Sequence, residues 1–224
     1  MAKIKAVLFD LDNTLIDFMR MKTESSNAAI QAMIDAGLNV KEEKARKILF
    51  DLFKEYGIED QTIFQKFLEK TIKKIDYRIL SNGIASYRRV QAGFLFPYPH
   101  VRATLVKLKE KGIKLGIVSD APRMRAWLRL AEMNMTHYFD VVITLDDTGL
   151  LKPNKMPFEK AINELKIAPK EILFVGDNPE RDIIGARKAG MKTCLAKYGQ
   201  KFFSGKVKAD FEVNDVNELL KVVG

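Results

Sequence analysis

Two carboxylates stand at the end of the first apolar run of the chain. Residues 6–9 are Ala, Val, Leu and Phe, a run typical of a strand buried on both faces, and Asp10 and Asp12 follow it at once. Thr14 comes two residues later in the same stretch. Because charged groups beside a core are costly unless they are paired or hold an ion, we interpret this stretch as the start of a chemical site.

Polar side chains also follow three later apolar runs. Ser119 and Asp120 end the run "KLGIV", and Lys152 lies in "TGLLKPNK". Asp177 and Asp182 belong to "GDNPERD", which follows the run "EILFV". In a parallel sheet, ligands bind beyond the carboxyl ends of the strands, so we expect these side chains to converge at one edge.

Carboxylates gathered in this way repel one another. Two of them about 4 Å apart cost on the order of 4 kcal/mol at an effective dielectric near 20. Either some carry protons or a cation lies among them. Oxygen ligands without His or Cys suit a hard ion, and Mg²⁺ accepts a few carboxylates together with waters and a substrate phosphate. The sequence therefore predicts a Mg²⁺ site at this edge.

The elements that must position these residues form two patterns. Beyond the two prolines at 97 and 99, short apolar runs alternate with helical segments, which predicts an α/β core with a Rossmann-like parallel sheet and helices on both faces, in three layers. After residues 6–9, the predicted strands are 115–118, 141–145, 172–175 and 193–196, and the predicted helices are 102–111, 123–133, 158–166 and 180–189.

The segment between the first strand and these elements is helical throughout. Apolar residues recur at helical spacing around 28–36, 45–56 and 63–75, and a fourth helix is predicted over 77–91. We therefore predict two domains: a catalytic core of 1–16 and 97–224, and a helical bundle of 17–96 inserted after the first strand as a cap. The cap is expected to close over Asp10 and to select the substrate.

Composition narrows the class of protein. Hydrophobic residues make up 47% of the 224 residues and charged residues 30%, which is typical of a folded globular chain. No membrane span or signal peptide is predicted, so we expect a cytoplasmic protein. Cys194 is the single cysteine, which excludes an internal disulfide and suggests a small buried residue.

The net charge of +9 is spread along the chain. Residues 17–96 hold 14 Lys and Arg against 11 Asp and Glu, and the remainder holds 24 against 18. A nucleic-acid-binding arm would concentrate its charge, so no nucleic-acid partner is predicted. A basic surface suits anionic substrates. The sequence assigns no oligomeric state.

The polar stretches together resemble a known family. "DLDNT", "VSD", Lys152 in "LKP" and "GDNPERD" resemble, in order, the four motifs of the haloacid dehalogenase-like hydrolases, and the resemblance covers essentially the whole chain. It implies that Asp10 is the nucleophile, forming an aspartyl phosphate, and that Asp12 is the general acid and base. It also implies that Ser119 binds the phosphoryl oxygens and that Lys152 neutralises charge on the nucleophile and phosphate.

The same resemblance implies a metal site and further phosphate contacts. Mg²⁺ would be held by Asp10, the backbone carbonyl of Asp12 and Asp177, with Asp182 supporting it. Thr14 and Asp120 join the serine of "VSD" as candidate phosphate-binding residues. Structural roles are the alternatives: a local cap for Thr14 or the serine, a favourable helix-start position for Asp182, and solvent exposure for the lysine of "LKP".

Within this resemblance, Asp12 also indicates which kind of bond is cleaved. Members of the family that cleave carbon–halogen bonds lack an acid at this position, because a halide leaves without a proton. We therefore predict a Mg²⁺-dependent phosphatase that hydrolyses a small phosphorylated metabolite. A phosphomutase of the same family and, from another class, a receiver-like module that binds phosphate and Mg²⁺ without catalysis are the alternatives. The order of the acids and the inserted helices argue against the receiver-like module.

Overall fold

A computed structural model describes residues 3–200 and 207–224. Its centre is a sheet of six strands, all parallel, in the order β3-β2-β1-β4-β5-β6. The predicted α/β fold with a Rossmann-like parallel sheet is confirmed. The strands are β1 Ala6–Phe9, β2 Lys114–Val118, β3 Val141–Ile143, β4 Ile172–Gly176, β5 Lys192–Ala196 and β6 Phe211–Val213.

The first strand lies in the middle of the sheet because every one of its residues is apolar and buried. It pairs with β2 on one side and β4 on the other, so that Phe9 lies between Ile117 and Val175. A strand paired on both edges and covered on both faces needs such a continuous apolar run. The residue after it is carried to the middle of the carboxyl edge of the sheet.

Helices connect the parallel strands. The longer ones coincide with amphipathic segments of the sequence, as crossovers between parallel strands require. The connecting helices are α5 Val101–Glu110, α6 Arg123–Glu132, the short α7 Leu145–Thr148, α8 Met156–Leu165 and α9 Ile184–Lys188, and the short α10 Leu219–Val222 follows the last strand.

The third strand is shorter than the predicted 141–145. It ends at Ile143, and α7 begins at Leu145. The cause is the side chain of Asp147, which caps the start of α7: the backbone N–H and the hydroxyl of Thr144 both donate to its Oδ2, at 2.8 and 2.6 Å. The apolar run suggested a longer strand, but this cap turns the chain into a helix.

The predicted helix 180–189 is also irregular. A π-helical turn, Pro179–Ile183, comes first, and regular α-helix begins only at Ile184. Single π turns often occur at functional sites, and this one carries Asp182. Strand β6 and helix α10 were not predicted from the sequence, because they are too short to give a periodic pattern.

The chain forms two compact units. One takes in the described residues of Met1–Phe18 and Leu95–Gly224, and the other is Met19–Phe94. The second unit contains α2 Glu42–Tyr56, α3 Ile63–Ile72, α4 Tyr77–Phe94 and all of α1 Phe18–Asp35 except its first residue. Its own apolar core includes Met33, Leu49, Phe67 and Leu80. None of the helices in the described parts of the chain has the length and apolarity needed to cross a membrane.

Candidate active site

The central strand delivers Asp10 to the point where the sheet order reverses. From β1 the strands proceed through β2 to β3 on one side and through β4 and β5 to β6 on the other. Ligands of open α/β sheets bind at such a switch point, outside the carboxyl ends of the strands. Asp10 is fixed there by its backbone N–H, which donates to Val175 O at 2.9 Å.

Three of the predicted site residues form one buried acidic group. Asp10, Asp177 and Asp182 each offer a carboxylate oxygen, and these oxygens all lie within 4.8 Å of one another. The residues are only 3%, 6% and 0% exposed. Oδ1 of Asp177 is buried and has no hydrogen-bond partner among the described residues. Three buried carboxylates with an unsatisfied oxygen fit a bound cation.

Asp182 reaches this group because the chain doubles back after β4. Asn178 begins the turn, and its side chain accepts from the backbone N–H groups of Glu180 and Arg181. Oδ2 of Asp182 in turn accepts from the Asn178 N–H at 3.0 Å. Asp182 also packs on Gly176, where an added Cβ would lie 2.4 Å from Oδ2. The glycine of "GDNPERD" therefore leaves room for the second acid of the motif.

Lys152 lies inside the acidic group and is 3% exposed. Its ammonium lies 2.7 Å from Oδ1 of Asp10 and 2.7 Å from Oδ1 of Asp182, and it donates to Val118 O at 3.1 Å. The lysine supplies one positive charge against three carboxylates. The remaining negative charge leaves the site suited to a cation.

The pKa values of these groups follow from their burial and from this imbalance of charge. Burial raises the pKa of Asp177 to about 8, and the charges of Asp10 and Asp182 add to the shift. Burial also raises the pKa of Asp182, to about 6, because it outweighs the opposing charge of Lys152. For Lys152, burial would lower the pKa, but the neighbouring carboxylates overcome it and raise the pKa well above its ordinary value. The lysine is therefore charged at any physiological pH.

Asp120 of "VSD" bonds to the loop that contains Lys152, and Ser119 bonds within its own turn. Asp120 accepts from the Lys152 backbone N–H at 2.9 Å and from the Arg181 guanidinium at 3.2 Å. Ser119 accepts from the Ala121 N–H at 3.1 Å through its hydroxyl oxygen. Asp120 therefore positions the loop that carries Lys152, and the phosphate-binding roles of Ser119 and Asp120 remain predictions.

Thr14 is fully buried. Its backbone carbonyl accepts from the Tyr198 hydroxyl at 2.9 Å. Its own hydroxyl has no hydrogen-bond partner within the described residues. A phosphate-binding role for this hydroxyl also remains a prediction.

The carboxylate of Asp12 lies outside the acidic group and has a basic partner. Nη1 of Arg129 donates to Oδ2 of Asp12 at 2.8 Å, and the guanidinium lies over the ring of Phe18, 4.4 Å from its centroid. Arg129 was not among the site residues predicted from the sequence. One feature could have indicated it: Arg129 shares the buried face of α6 with Ala126 and Leu130, where an apolar residue would be expected.

Cys194 takes no part in this site. It is fully buried in β5, and burial raises the pKa of its thiol to about 12. The side chain is therefore a neutral thiol that fills space in the core, as its sequence context suggests.

The chain is similar to known hydrolases over nearly its whole length. A family described as haloacid dehalogenase-like hydrolase matches residues 7–196. A glyceraldehyde 3-phosphate phosphatase of Methanocaldococcus jannaschii is 34% identical over 221 residues, covering 98% of this chain and 97% of the relative. A pyrophosphatase PpaX of Bacillus thuringiensis is 31% identical over 229 residues, covering 99% and 97%. The crystal structure of a HAD phosphatase from Thermococcus onnurineus has 28% identity and a TM-score of 0.72, with 99% and 98% of the two chains covered.

Proposed function

This chain belongs to the haloacid dehalogenase-like hydrolases and is a phosphatase of small phosphorylated metabolites, and from that premise we propose which residues carry the reaction. The observation on which the proposal rests is the buried group of Asp10, Asp177 and Asp182 around Lys152 at the switch point of the sheet. A site with this charge and position suits a cation and a phosphoryl group together.

Asp10 is the proposed nucleophile. Its carboxylate attacks phosphorus, the bond from phosphorus to the leaving oxygen breaks, and an aspartyl phosphate forms. Water then attacks the same phosphorus, the bond to the Asp10 oxygen breaks, and inorganic phosphate leaves. The ammonium of Lys152, 2.7 Å from Oδ1 of Asp10, supports this role because it orients the carboxylate and offsets charge on the incoming phosphate.

Asp12 is the proposed general acid and base. It gives a proton to the leaving oxygen in the first step and takes one from the attacking water in the second. Two features support this assignment: Asp12 lies two residues from the nucleophile, and its carboxylate stands apart from the acidic group. Phosphate ester cleavage needs such an acid, which favours it over carbon–halogen cleavage.

The proposed cofactor is Mg²⁺, held by Asp10, Asp177 and the backbone carbonyl of Asp12. The all-oxygen donor set and the unsatisfied Oδ1 of Asp177 support a hard cation. Mg²⁺ supplies charge to draw in the phosphate and to stabilise charge on the transferring phosphoryl group. Asp182 already contacts Lys152 and the Asn178 N–H, so its proposed part is to support the site around the metal.

The first substrate to test is glyceraldehyde 3-phosphate. A relative 34% identical over nearly the whole chain is named for that activity, and pyrophosphate is the second candidate because another relative is named for it. We also propose the division of labour between the two units: the unit that contains the sheet carries the chemistry, and the helical unit serves as the cap that selects the substrate.

Release of inorganic phosphate tests the proposal. The wild-type protein is expected to release phosphate from 4-nitrophenyl phosphate and from glyceraldehyde 3-phosphate with MgCl₂ but not with EDTA. Asp10→Asn should lose activity at least about 10³-fold, because no nucleophile remains. Asp51→Asn is the matched control, since Asp51 is an exposed acid on α2 in a weak pair with Lys54.

The possible outcomes separate the candidate functions. Unchanged turnover in Asp10→Asn, or turnover in EDTA, would contradict the proposed mechanism. Transfer of the phosphoryl group to a second position of a sugar phosphate, without release of inorganic phosphate, would identify a phosphomutase. Absence of any turnover, combined with Mg²⁺ binding, would favour a receiver-like module.

A further inference from the structure

The inference concerns the buried arginine that contacts Asp12. The Arg129 side chain is 6% exposed and lies on the face of α6 that packs into the core. Burying a guanidinium costs free energy unless it is paired, and an apolar residue at this position would extend the stripe formed by Ala126 and Leu130. The arginine therefore needs a reason beyond packing, and its bond to Asp12 supplies one.

A hydrogen bond and an aromatic ring are among the contacts that hold the guanidinium in place. Nη1 donates to Oδ2 of Asp12 at 2.8 Å, and the guanidinium carbon lies 4.4 Å from the centroid of the Phe18 ring. The hydrogen bond fixes one edge of the guanidinium and the ring covers one face. Lysine could not reproduce this, because an ammonium is a point charge without a planar face.

The contact has a defined effect on Asp12. Binding one oxygen of a carboxylate fixes its rotation about the Cβ–Cγ bond, and therefore the direction in which the second oxygen points. Arg129 is carried on α6, which begins three residues after Asp120 in the "VSD" loop, and the Arg123 N–H at the start of α6 donates to Asp146 at 2.7 Å. Both partners of the pair are therefore attached to loops at the carboxyl edge of the sheet.

We propose that Arg129 is the positioning residue for Asp12, directing its carboxylate at the oxygen that gains or loses a proton during phosphate transfer. This inference rests on the proposed role of Asp12. Arg129 itself is not required to touch the substrate. A proton donor must lie within hydrogen-bond reach of its target, and a misplacement of about 1 Å can cost on the order of 10²-fold in rate.

A double-mutant cycle with Asp12 tests the proposal. Arg129→Met is expected to lower kcat for 4-nitrophenyl phosphate by about 10- to 100-fold, with KM changed by less than about 3-fold. In an Asp12→Asn background the same substitution should have almost no further effect, because residues that act as a unit are not additive. Arg46→Met on α2, which removes an exposed ion pair with Glu42, is the matched control.

The double-mutant cycle distinguishes a failure of the proposed role of Asp12 from a failure of the positioning role of Arg129. If Asp12→Asn retains wild-type kcat, the proposed role of Asp12 is wrong, and the inference fails with it. If Asp12→Asn is impaired but Arg129→Met is not, or if the two losses multiply fully, Asp12 keeps its role and only the positioning inference is overturned.

The basicity of the leaving group gives a second readout that a purely structural role would not move. Phenolate from phenyl phosphate is a far more basic leaving group than 4-nitrophenolate, so its departure depends more on a correctly placed acid. Arg129→Met should therefore lower kcat/KM for phenyl phosphate by at least about 5-fold more than for 4-nitrophenyl phosphate. If Arg129→Met does not fold, Arg129→Lys is measured in its place, and equal losses on both substrates would overturn the inference.

Discussion

The ammonium of Lys152 lies 2.7 Å from Oδ1 of Asp10, and both side chains are almost fully buried. These residues are 142 positions apart in the chain, and the ends of neighbouring strands bring them together. A buried ion pair contributes little net stability against an apolar replacement of both partners, but losing one partner leaves an uncompensated charge. The pair is therefore best explained by the proposed role of Asp10 as the nucleophile.

Replacing Lys152 tests its contributions to stability and to catalysis. Lys152→Met should unfold about 3–5 kcal/mol more easily without metal, because the carboxylates of Asp10 and Asp182 lose their counter-charge. It should also lower kcat by about 10²- to 10³-fold, as loss of one stabilising donor does. Urea unfolding in EDTA and phosphate release with MgCl₂ measure the two effects. Lys160→Met, which removes an exposed i,i+4 pair with Glu164, should change stability by less than about 0.5 kcal/mol.

Asp177 is expected to be needed for metal binding and to destabilise the metal-free protein. At a pH above about 8, where Asp177 is ionised, Asp177→Asn removes one of three buried like charges, so in EDTA the variant should unfold at the wild-type temperature or above it. MgCl₂ at about 100 times its Kd should stabilise the wild type by about 2.7 kcal/mol, and hence by several degrees, but not the variant. Differential scanning calorimetry checks this, and an equal Mg²⁺ shift in both proteins would contradict it.

The close approach of Asp182 to Gly176 gives a third prediction. In Gly176→Ala the new Cβ would lie 2.4 Å from Oδ2 of Asp182, and overpacking of this kind costs about 1–3 kcal/mol. Because Asp182 must move, phosphate release should also fall. Gly93→Ala is the matched control, since Gly93 lies in α4 with nothing within 4 Å of its added Cβ. That control should be neutral or up to about 1 kcal/mol more stable, with unchanged activity.

The hydrogen bonds between Thr144 and Asp147 at the start of α7 should make the stability of the protein depend on pH. Burial alone would raise the pKa of Asp147, but the bonds from Thr144 and the charge of Arg123 outweigh it and lower the pKa. The stabilisation is therefore complete above the unfolded-state pKa of about 4, and it is lost as pH falls through the native pKa.

Substitution of Asp147 isolates this pH-dependent stabilisation. Asp147→Asn should cost about 1 kcal/mol at pH 7, and the difference from the wild type should disappear at pH values below the native pKa of Asp147. Urea unfolding between pH 7 and pH 3 measures it, with Asp51→Asn as an exposed control. A difference that stays constant or grows on acidification would show that the charge of Asp147 does not stabilise the cap.

Several features could be predicted from the sequence because they depend on local patterns. Residues 6–9 form a buried strand because all four are apolar, and the chain leaves the sheet at Asp10 because a charged residue ends that run. The helical periodicity of 45–56 and 63–75 likewise predicted most of α2 and all of α3. The motif residues were identified by their place at the ends of such runs.

Other features could not be predicted, because a neighbouring residue or strand decides the conformation there. The run 141–145 is apolar enough for a strand, but the Thr144–Asp147 cap ends it at Ile143. The strand β6 has three residues, too few to show an alternating pattern, and its pairing with β5 decides its conformation.

The sequence by itself determined which residue types stand at the carboxyl ends of the strands, since hydrophobic runs and the residues that end them are encoded locally. Only the tertiary structure decided which of these side chains meet. Lys152 lies between Asp10 and Asp182, and Arg129 reaches Asp12 across 117 positions, because strand order and helix packing bring distant segments together. Such contacts leave no periodic signal in the sequence, so a buried arginine is visible there only as a polar residue on an apolar face.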